Sequence, residues 1–535
     1  MKNKFTQIVI LGIIIVISTF LYSYKLEVIP NGFYVDEAAV AYNAYSILLT
    51  GKDIFGQSYP ILFRLLGSYT PPLFIYISVL FFKLFGMGIF TLRIISVMSA
   101  VTCVIFFYLI VRNLGIFKME KSYLITTFFF AISPWLFFNA RLGYEVTLAF
   151  LLFNVGVYFL LLAFDEPKNY IWSMIFLSLS TYTAHTQRFL TPIFIAFYLL
   201  VFVKDIFKKQ NIRYLIISSV VTLLIQIPHF MVINTPAFWV KNERLIESGN
   251  GSIIKDVFNQ AISYLSTKNL FYQLSDIDIQ HTIPEISVMY NWMVIPFLVG
   301  LFFLFYKLKE RKFRFLILLF FVSLIPAILS GKFISIQRAL PFMLPLVIVI
   351  GLGMDQFFLR FNRIINIVFV FLLSFYSLIL LYRSYFILFP IERAEGWNYG
   401  YSDAAEFIYN NPKKHFLVDN NRNPRNYILL LYYLRYPPID YQLELNPKYK
   451  SDYYLSLPTE DSYRFSNIEV RAIDWKTDSC KDQVIIGDPL SISESQAKEH
   501  FLDQVYEIFS PKKERILVFY KTNPKIKCKL SLNSF

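Results

Sequence analysis

Long apolar runs recur along the first 390 residues, separated by short polar loops. They fall near 6–24, 90–111, 123–139, 146–164, 170–185, 189–203, 214–233, 289–306, 315–329, 338–358 and 364–388. Crossing a bilayer as a helix takes about 20 residues, so this pattern predicts a polytopic, all-α membrane domain of about eleven spans over 1–389. The first run follows Met1-Lys2-Asn3-Lys4 and ends Ser23-Tyr24-Lys25, with no small-residue cleavage site. It reads as an uncleaved transmembrane helix rather than a signal peptide. After Pro390 the pattern changes. Helices are expected near 402–409, 424–435 and 493–501, and strands near 415–419, 483–486, 505–509 and 515–520. That alternation predicts a small α/β domain over 390–535. No internal repeat or low-complexity tract interrupts either part.

Composition supports the membrane reading. Of 535 residues, 56% are hydrophobic and 16% charged, against about 25% charged in soluble domains. The net charge of +14 would suit a nucleic-acid surface, but its location argues otherwise. Pro390–Phe535 holds 20 Lys and Arg against 20 Asp and Glu, so the whole excess lies in the membrane part. Basic residues concentrated in short loops between spans mark the cytoplasmic side. With the N-terminus inside, the cytoplasmic segments hold Lys2, Lys4, Arg112, Lys118, Lys121, Lys168, Lys204, Lys208, Lys209, Arg213, Lys307, Lys309, Arg311, Lys312, Arg314, Arg360 and Arg363. Pro71–Phe85 is also apolar, but counting it as a span would invert everything after it. It is read as an interfacial helix on the outer leaflet. Two long outer loops result, 25–89 and 234–288, and the C-terminal domain is expected outside a plasma membrane. Cys480 and Cys528 share that domain and suit either a disulfide in an oxidising compartment or two free thiols.

The polar residues that could carry chemistry all map to the expected outer face. Asp36 and Glu37 lie on the first loop. Arg141 and Glu145 share a short turn, and His185 and Arg188 another. His281 and Glu285 lie on the second long loop, and Lys332, Gln337 and Arg338 precede a later span. Carboxylate, imidazole and guanidinium on one face suit an anionic headgroup beside an acid or base, because the guanidinium fork matches phosphate oxygens. Plainer readings stand beside this. Arg and Lys at helix ends snorkel into headgroups. The two His suit structural hydrogen bonds, Glu285 a solvated loop, and Arg141 with Glu145 a local ion pair. No His, Asp and Glu cluster has clear metal-ligand spacing.

The surroundings of Asp36 point further. Pro30-Asn31-Gly32-Phe33-Tyr34-Val35-Asp36-Glu37 is followed in order by Ala41-Tyr42-Asn43, Thr50-Gly51-Lys52-Asp53, Tyr69-Thr70-Pro71-Pro72 and Leu92-Arg93. This resembles the first loop of the C-type glycosyltransferase superfamily, nearest to glycosyltransferase family 39, with the protein O-mannosyltransferases and aminoarabinose transferases as relatives. The resemblance covers about 25–190 and continues weakly at Gln337-Arg338-Ala339-Leu340-Pro341 and Glu395-Gly396-Trp397-Asn398-Tyr399-Gly400-Tyr401. It implies a multi-pass enzyme that moves a sugar, with inversion, from a polyprenyl-phosphate donor to an extracytoplasmic acceptor: protein, lipid or glycan. Asp36 takes the catalytic position, with Glu37 beside it. Arg141 and Glu145 match a second site, with Glu where Asp is frequent. Arg188 and Arg338 match basic positions suited to the donor phosphate, with His185 and His281 nearby. Where aminoarabinose transferases have a Lys before the Pro-Pro pair, this chain has Thr70. That removes a phosphate ligand, for which Arg93 or Lys332 could substitute. No cofactor is required on this reading, and a divalent cation is possible but not indicated. An oligosaccharide polymerase or ligase is an alternative reading, as is a transporter, although transporters place ionisable residues at mid-membrane.

Overall fold

The computed structural model describes residues 2–240, 253–273, 280–330, 334–445, 452–456 and 462–532; Lys332 lies outside them. The chain is mostly helical, at 64%, with a β-sheet region towards its C-terminus. Contacts divide it into two compact units. One comprises Met1–Leu26, Thr70–Phe74 and Phe90–Ile387, the other Glu27–Tyr69, Ile75–Ile89 and Leu388–Phe535. The division is therefore not a single cut near 389, because most of the first long loop clusters with the C-terminal segment.

The chain starts with α1 (Lys2–Ser23), α2 (Val35–Thr50), a hairpin of β1 (Phe63–Leu65) and β2 (Ser68–Thr70), and α3 (Leu73–Phe85). Then come α4 (Ile89–Leu114), α5 (Glu120–Ala131), α6 (Pro134–Ala140), α7 (Val146–Leu162), α8 (Asn169–Ser180) and α9 (His185–Val201). Further helices cover Lys209–Val232, Val294–Tyr306, Arg311–Val322, Met343–Arg360 and Arg363–Leu381. Among the described residues, five helices are long and apolar enough to cross a membrane, six if the bent pair α5–α6 counts as one span. The expected spans near 146–164, 170–185, 189–203, 289–306 and 315–329 are helical but shorter than that. The count of eleven and its threading rest on the sequence alone. The second long loop is partly helical, at Pro236–Trp239 and Ile253–Leu265.

Within the helical unit, close packing rests on glycines. A Cβ on Gly300 would lie 1.9 Å from the carbonyl oxygen of Val349, and one on Gly353 1.8 Å from that of Pro296. The helices Val294–Tyr306 and Met343–Arg360 thus meet backbone to backbone, as small residues allow in apolar surroundings. Helix breaks are satisfied by long-range partners. Between α5 and α6 the axis bends by 51°, because Pro134 carries no amide hydrogen to continue the ladder. The carbonyls stranded there, Ala131 and Ile132, accept from the hydroxyls of Tyr22 and Tyr290. At the other end of α5, the buried carboxylate of Asp355 accepts from the amides of Lys118 (2.8 Å) and Met119 (3.0 Å) and from Ser122 Oγ (2.6 Å).

The second unit is built on a six-stranded mixed sheet. Its strands are β3 (Phe416–Val418), β4 (Ser462–Phe465), β5 (Ile468–Arg471), β6 (Val484–Gly487), β7 (Asp503–Phe509) and β8 (Arg515–Lys521), in the order β4-β5-β3-β6-β8-β7. β5, β3 and β6 run parallel, and the outer pairs are antiparallel. Leu417, Ile485, Val518 and Tyr520 pack with Ile492, Ala497 and Leu502 in its core. Every expected strand and helix of this segment is present in some form. β4 and β5 are additional, short and partly exposed. The structure joins Cys480 and Cys528 in a disulfide.

First-loop residues 51–69 are tied to the segment at 452–456 through a buried polar knot. Asp53 accepts from the amides of Phe55 (3.0 Å) and Gln57 (2.8 Å) and from the Tyr453 hydroxyl. Arg64 donates to the carbonyls of Tyr453 (2.8 Å) and Ser456 (3.0 Å) and lies over the Tyr453 ring. Burial dominates at Asp53, pushing its pKa from 3.8 to about 6 despite these donors. A raised carboxyl pKa means the folded form holds the proton more tightly. Its stabilisation is present in full below about pH 4 and is lost as pH rises through 6. Thermal unfolding in detergent should show the native chain losing up to about 3 kcal/mol over that window, whereas Asp53→Asn shows a flatter profile.

Candidate functional site

Asp36 sits in the first turn of α2, and the chain before it fixes that turn. Gly32 has φ +130°, and a Cβ there would lie 2.2 Å from the carbonyl oxygen of Trp397. Only glycine fits both constraints. Asn31 Nδ2 donates to the Pro390 carbonyl at 2.6 Å, and Asn398 Nδ2 to the Phe33 carbonyl at 3.3 Å. The Tyr34 and Trp397 rings lie 5.5 Å apart. Pro30–Asp36 and Glu395–Tyr401, separated by more than 350 residues in sequence, are therefore packed against each other.

The acidic pair is divided by burial. Glu37 is fully buried, and its carboxylate accepts from the Tyr34 amide at 3.3 Å. It occupies the position that caps a helix N-terminus. Asp36 is half-buried, and among the described residues its carboxylate has no hydrogen-bond or ion-pair partner. The first turn favours negative charge through the helix dipole. Asp36 is thus an anion positioned by the backbone and available to a ligand. Glu37, the other half of the pair, meets the Tyr34 amide at the helix start.

In the helical unit, Arg141 and Arg93 both donate to backbone carbonyls. Arg141 is fully buried and donates to the carbonyls of Leu21 (3.0 Å) and Tyr22 (2.8 Å) at the end of α1, and to the Tyr385 hydroxyl (3.1 Å). Its guanidinium lies over the rings of Phe137, Tyr385 and Phe386. Arg93 is also fully buried and donates to the Leu26 carbonyl at 3.0 Å. In both cases the guanidinium meets a backbone carbonyl at or just after the end of α1. Glu285 likewise is no isolated solvated residue, for it forms a salt bridge with Arg383.

The remaining candidates fall into two groups. Tyr144, next to Glu145 at the start of α7, receives a hydrogen bond from Gln337 Nε2, and its ring meets His281 edge-on at 6.4 Å. This brings the 141–145 turn, the second long loop and the Gln337–Arg338 segment together. Arg338 is exposed and donates to the Ser330 carbonyl at 2.6 Å. The other group opens α9. Arg188 Nη2 bonds His185 Nδ1, and its guanidinium lies 4.4 Å from the centre of the Phe238 ring. Arg188 is only 9% exposed, yet its Nε and Nη1 make no hydrogen bond among the described residues. Sequence reasoning missed Tyr144, Phe238 and His229. A signal existed for the last, since Gln226 and His229 are polar residues three apart near the end of an apolar span. Among the described residues no group of three or more His, Cys, Asp or Glu is placed to hold a metal.

Residues 69–231 match the family model described as dolichyl-phosphate-mannose-protein mannosyltransferase. No curated protein sequence matches the chain. The fold resembles that of ArnT from Cupriavidus metallidurans bound to undecaprenyl phosphate, with TM-score 0.59 and 12% identity over 95% of this chain and 97% of that one. It also resembles the oligosaccharyltransferase AglB from Archaeoglobus fulgidus in complex with an inhibitory peptide and a dolichol-phosphate. There the TM-score is 0.53 and the identity 13%, over 96% of this chain and 74% of that one. The family model thus covers less than a third of the chain, and the solved structures share its fold.

If Glu37 serves the helix start, Glu37→Gln keeps an acceptor for Tyr34 and unfolds close to the native temperature. Glu37→Ala should lose about 0.5–2 kcal/mol, read by thermal unfolding in detergent.

Proposed function

We propose that the chain is an integral-membrane glycosyltransferase that moves a hexose-like sugar from a polyprenyl-phosphate donor to an acceptor hydroxyl on the extracytoplasmic side. The observation that carries this reading is Asp36: a half-buried carboxylate without a protein partner among the described residues, fixed on a helix start by Gly32, Trp397 and Glu37. The family-model match and the shared fold support it.

The chemistry is one displacement. Asp36 accepts the proton of the acceptor hydroxyl as its oxygen bonds to the anomeric carbon. The bond from that carbon to the phosphate oxygen breaks on the opposite face, and the polyprenyl phosphate leaves with the electron pair. Configuration inverts because attack and departure occur on opposite faces. A carboxylate presented at a helix N-terminus suits this role. Arg188, with two uncommitted donors, and the exposed Arg338 are the residues we assign to the charge of the phosphate. The donor's own lipid tail anchors it, so the protein needs only to hold the headgroup at the membrane surface. The Cys480–Cys528 disulfide supports placing the C-terminal segment in an oxidising compartment.

Asp36→Asn preserves shape and removes the base. Transfer from polyprenyl-phospho-sugar donors should fall by about 10²–10⁴-fold, with membrane expression unchanged; full activity in the variant would sink the mechanism. The orientation has its own check. A reporter fused after Phe535 should report an extracytoplasmic end, and a cytoplasmic signal would overturn the threading.

A further inference from the structure

Near the start of α9 several buried polar atoms lack partners, and they are of two kinds. Arg188 offers donors at Nε and Nη1, whereas Gln187 Oε1 and His229 Nε2 make no hydrogen bond among the described residues. Gln187 and His229 are 2% and 5% exposed. Arg188 and His229 rest against the same ring, for the His229 imidazole lies 5.5 Å from Phe238, edge-on. On its other side the imidazole stacks on Tyr182 at 3.9 Å.

The hydrogen bonds around His229 set its tautomer. Gln226 Nε2 faces the Ser178 carbonyl (3.3 Å) and Thr181 Oγ1 (3.1 Å), so Oε1 is turned to the imidazole. That oxygen lies 2.7 Å from His229 Nδ1 and can only accept. Nδ1 therefore carries the proton, and Nε2 presents a lone pair. Arg188, a cation that seeks an oxyanion, and His229 Nε2, a neutral acceptor that seeks a hydroxyl, share the Phe238 ring. Leaving such groups buried and unbonded is costly, and a ligand with only one kind of group satisfies half of them.

We infer that His229 reads a hydroxyl of the sugar on the donor while Arg188 holds the adjoining phosphate, so that this pair tells a lipid phosphosugar from the bare lipid phosphate. This rests on the reading of Arg188 as a donor-phosphate ligand. The discrimination follows from the chemistry of the two lipids. Above about pH 7 a phosphate monoester is mostly the dianion and brings no O–H. The sugar ester places hydroxyls beside a singly charged phosphate.

The test is binding of undecaprenyl phosphate and of undecaprenyl phosphomannose and phosphoglucose to the full chain in lipid nanodiscs at pH 8. His229→Phe should weaken the tighter sugar ester by about 3–10-fold, the size of one hydrogen bond, and leave undecaprenyl phosphate unchanged. Gln226→Leu keeps the imidazole but frees its tautomer, and should shift the sugar ester the same way if His229→Phe fails to fold. Unchanged sugar-ester binding in these variants, or equal losses for both lipids, would overturn the inference. Arg188→Gln separates the underlying reading: it should weaken both lipids, and unchanged binding of undecaprenyl phosphate would remove Arg188 as a phosphate ligand.

Discussion

Wherever a helix breaks or ends among apolar neighbours, its backbone groups need partners, and the helical unit is organised around meeting that need. An N–H or C=O without one costs far more there than in water. The break between α5 and α6 is allowed because Tyr22 and Tyr290 reach the stranded carbonyls. The start of α5 is held by Asp355 from a distant helix. The end of α1 is held by Arg141. Each of these groups joins segments that are remote in sequence, so backbone satisfaction and tertiary packing are one task.

The same accounting separates structural from available charge. Arg93 and Arg141 are fully buried, and each donates to a backbone carbonyl. Arg188 is nearly as buried and keeps two donors without protein acceptors among the described residues. Burial alone would not rank these arginines. What distinguishes them is whether the guanidinium finds protein oxygens.

Around Asp36 the logic is backbone fit rather than charge pairing. Gly32 lets the loop press against the carbonyl of Trp397, and Glu37 fixes the helix start. Asp36 then needs no side-chain partner to be positioned. Among the described residues neither carboxylate oxygen of Asp36 meets a protein partner.

Sequence alone determined the broad plan. Apolar runs identified the helical part because burial in lipid imposes length and composition on every span. Alternation of helix and strand signals after Pro390 identified β3, β6, β7 and β8; β3 and β6 read as short buried apolar runs, whereas β7 is a largely exposed edge strand. Motif order singled out Asp36. Tertiary structure decided what local patterns cannot encode. It divided Asp36 from Glu37, since a capping role depends on which amide a carboxylate meets. It showed which backbone carbonyls Arg93 and Arg141 meet, and that Arg188 Nε and Nη1 meet no acceptor among the described residues. It also placed His229 beside Phe238 and Gln226, a neighbourhood drawn from two segments of the chain. Hydrophobic pattern is a one-dimensional record of burial, whereas hydrogen-bond commitment is set by three-dimensional proximity, and that is where the two accounts part.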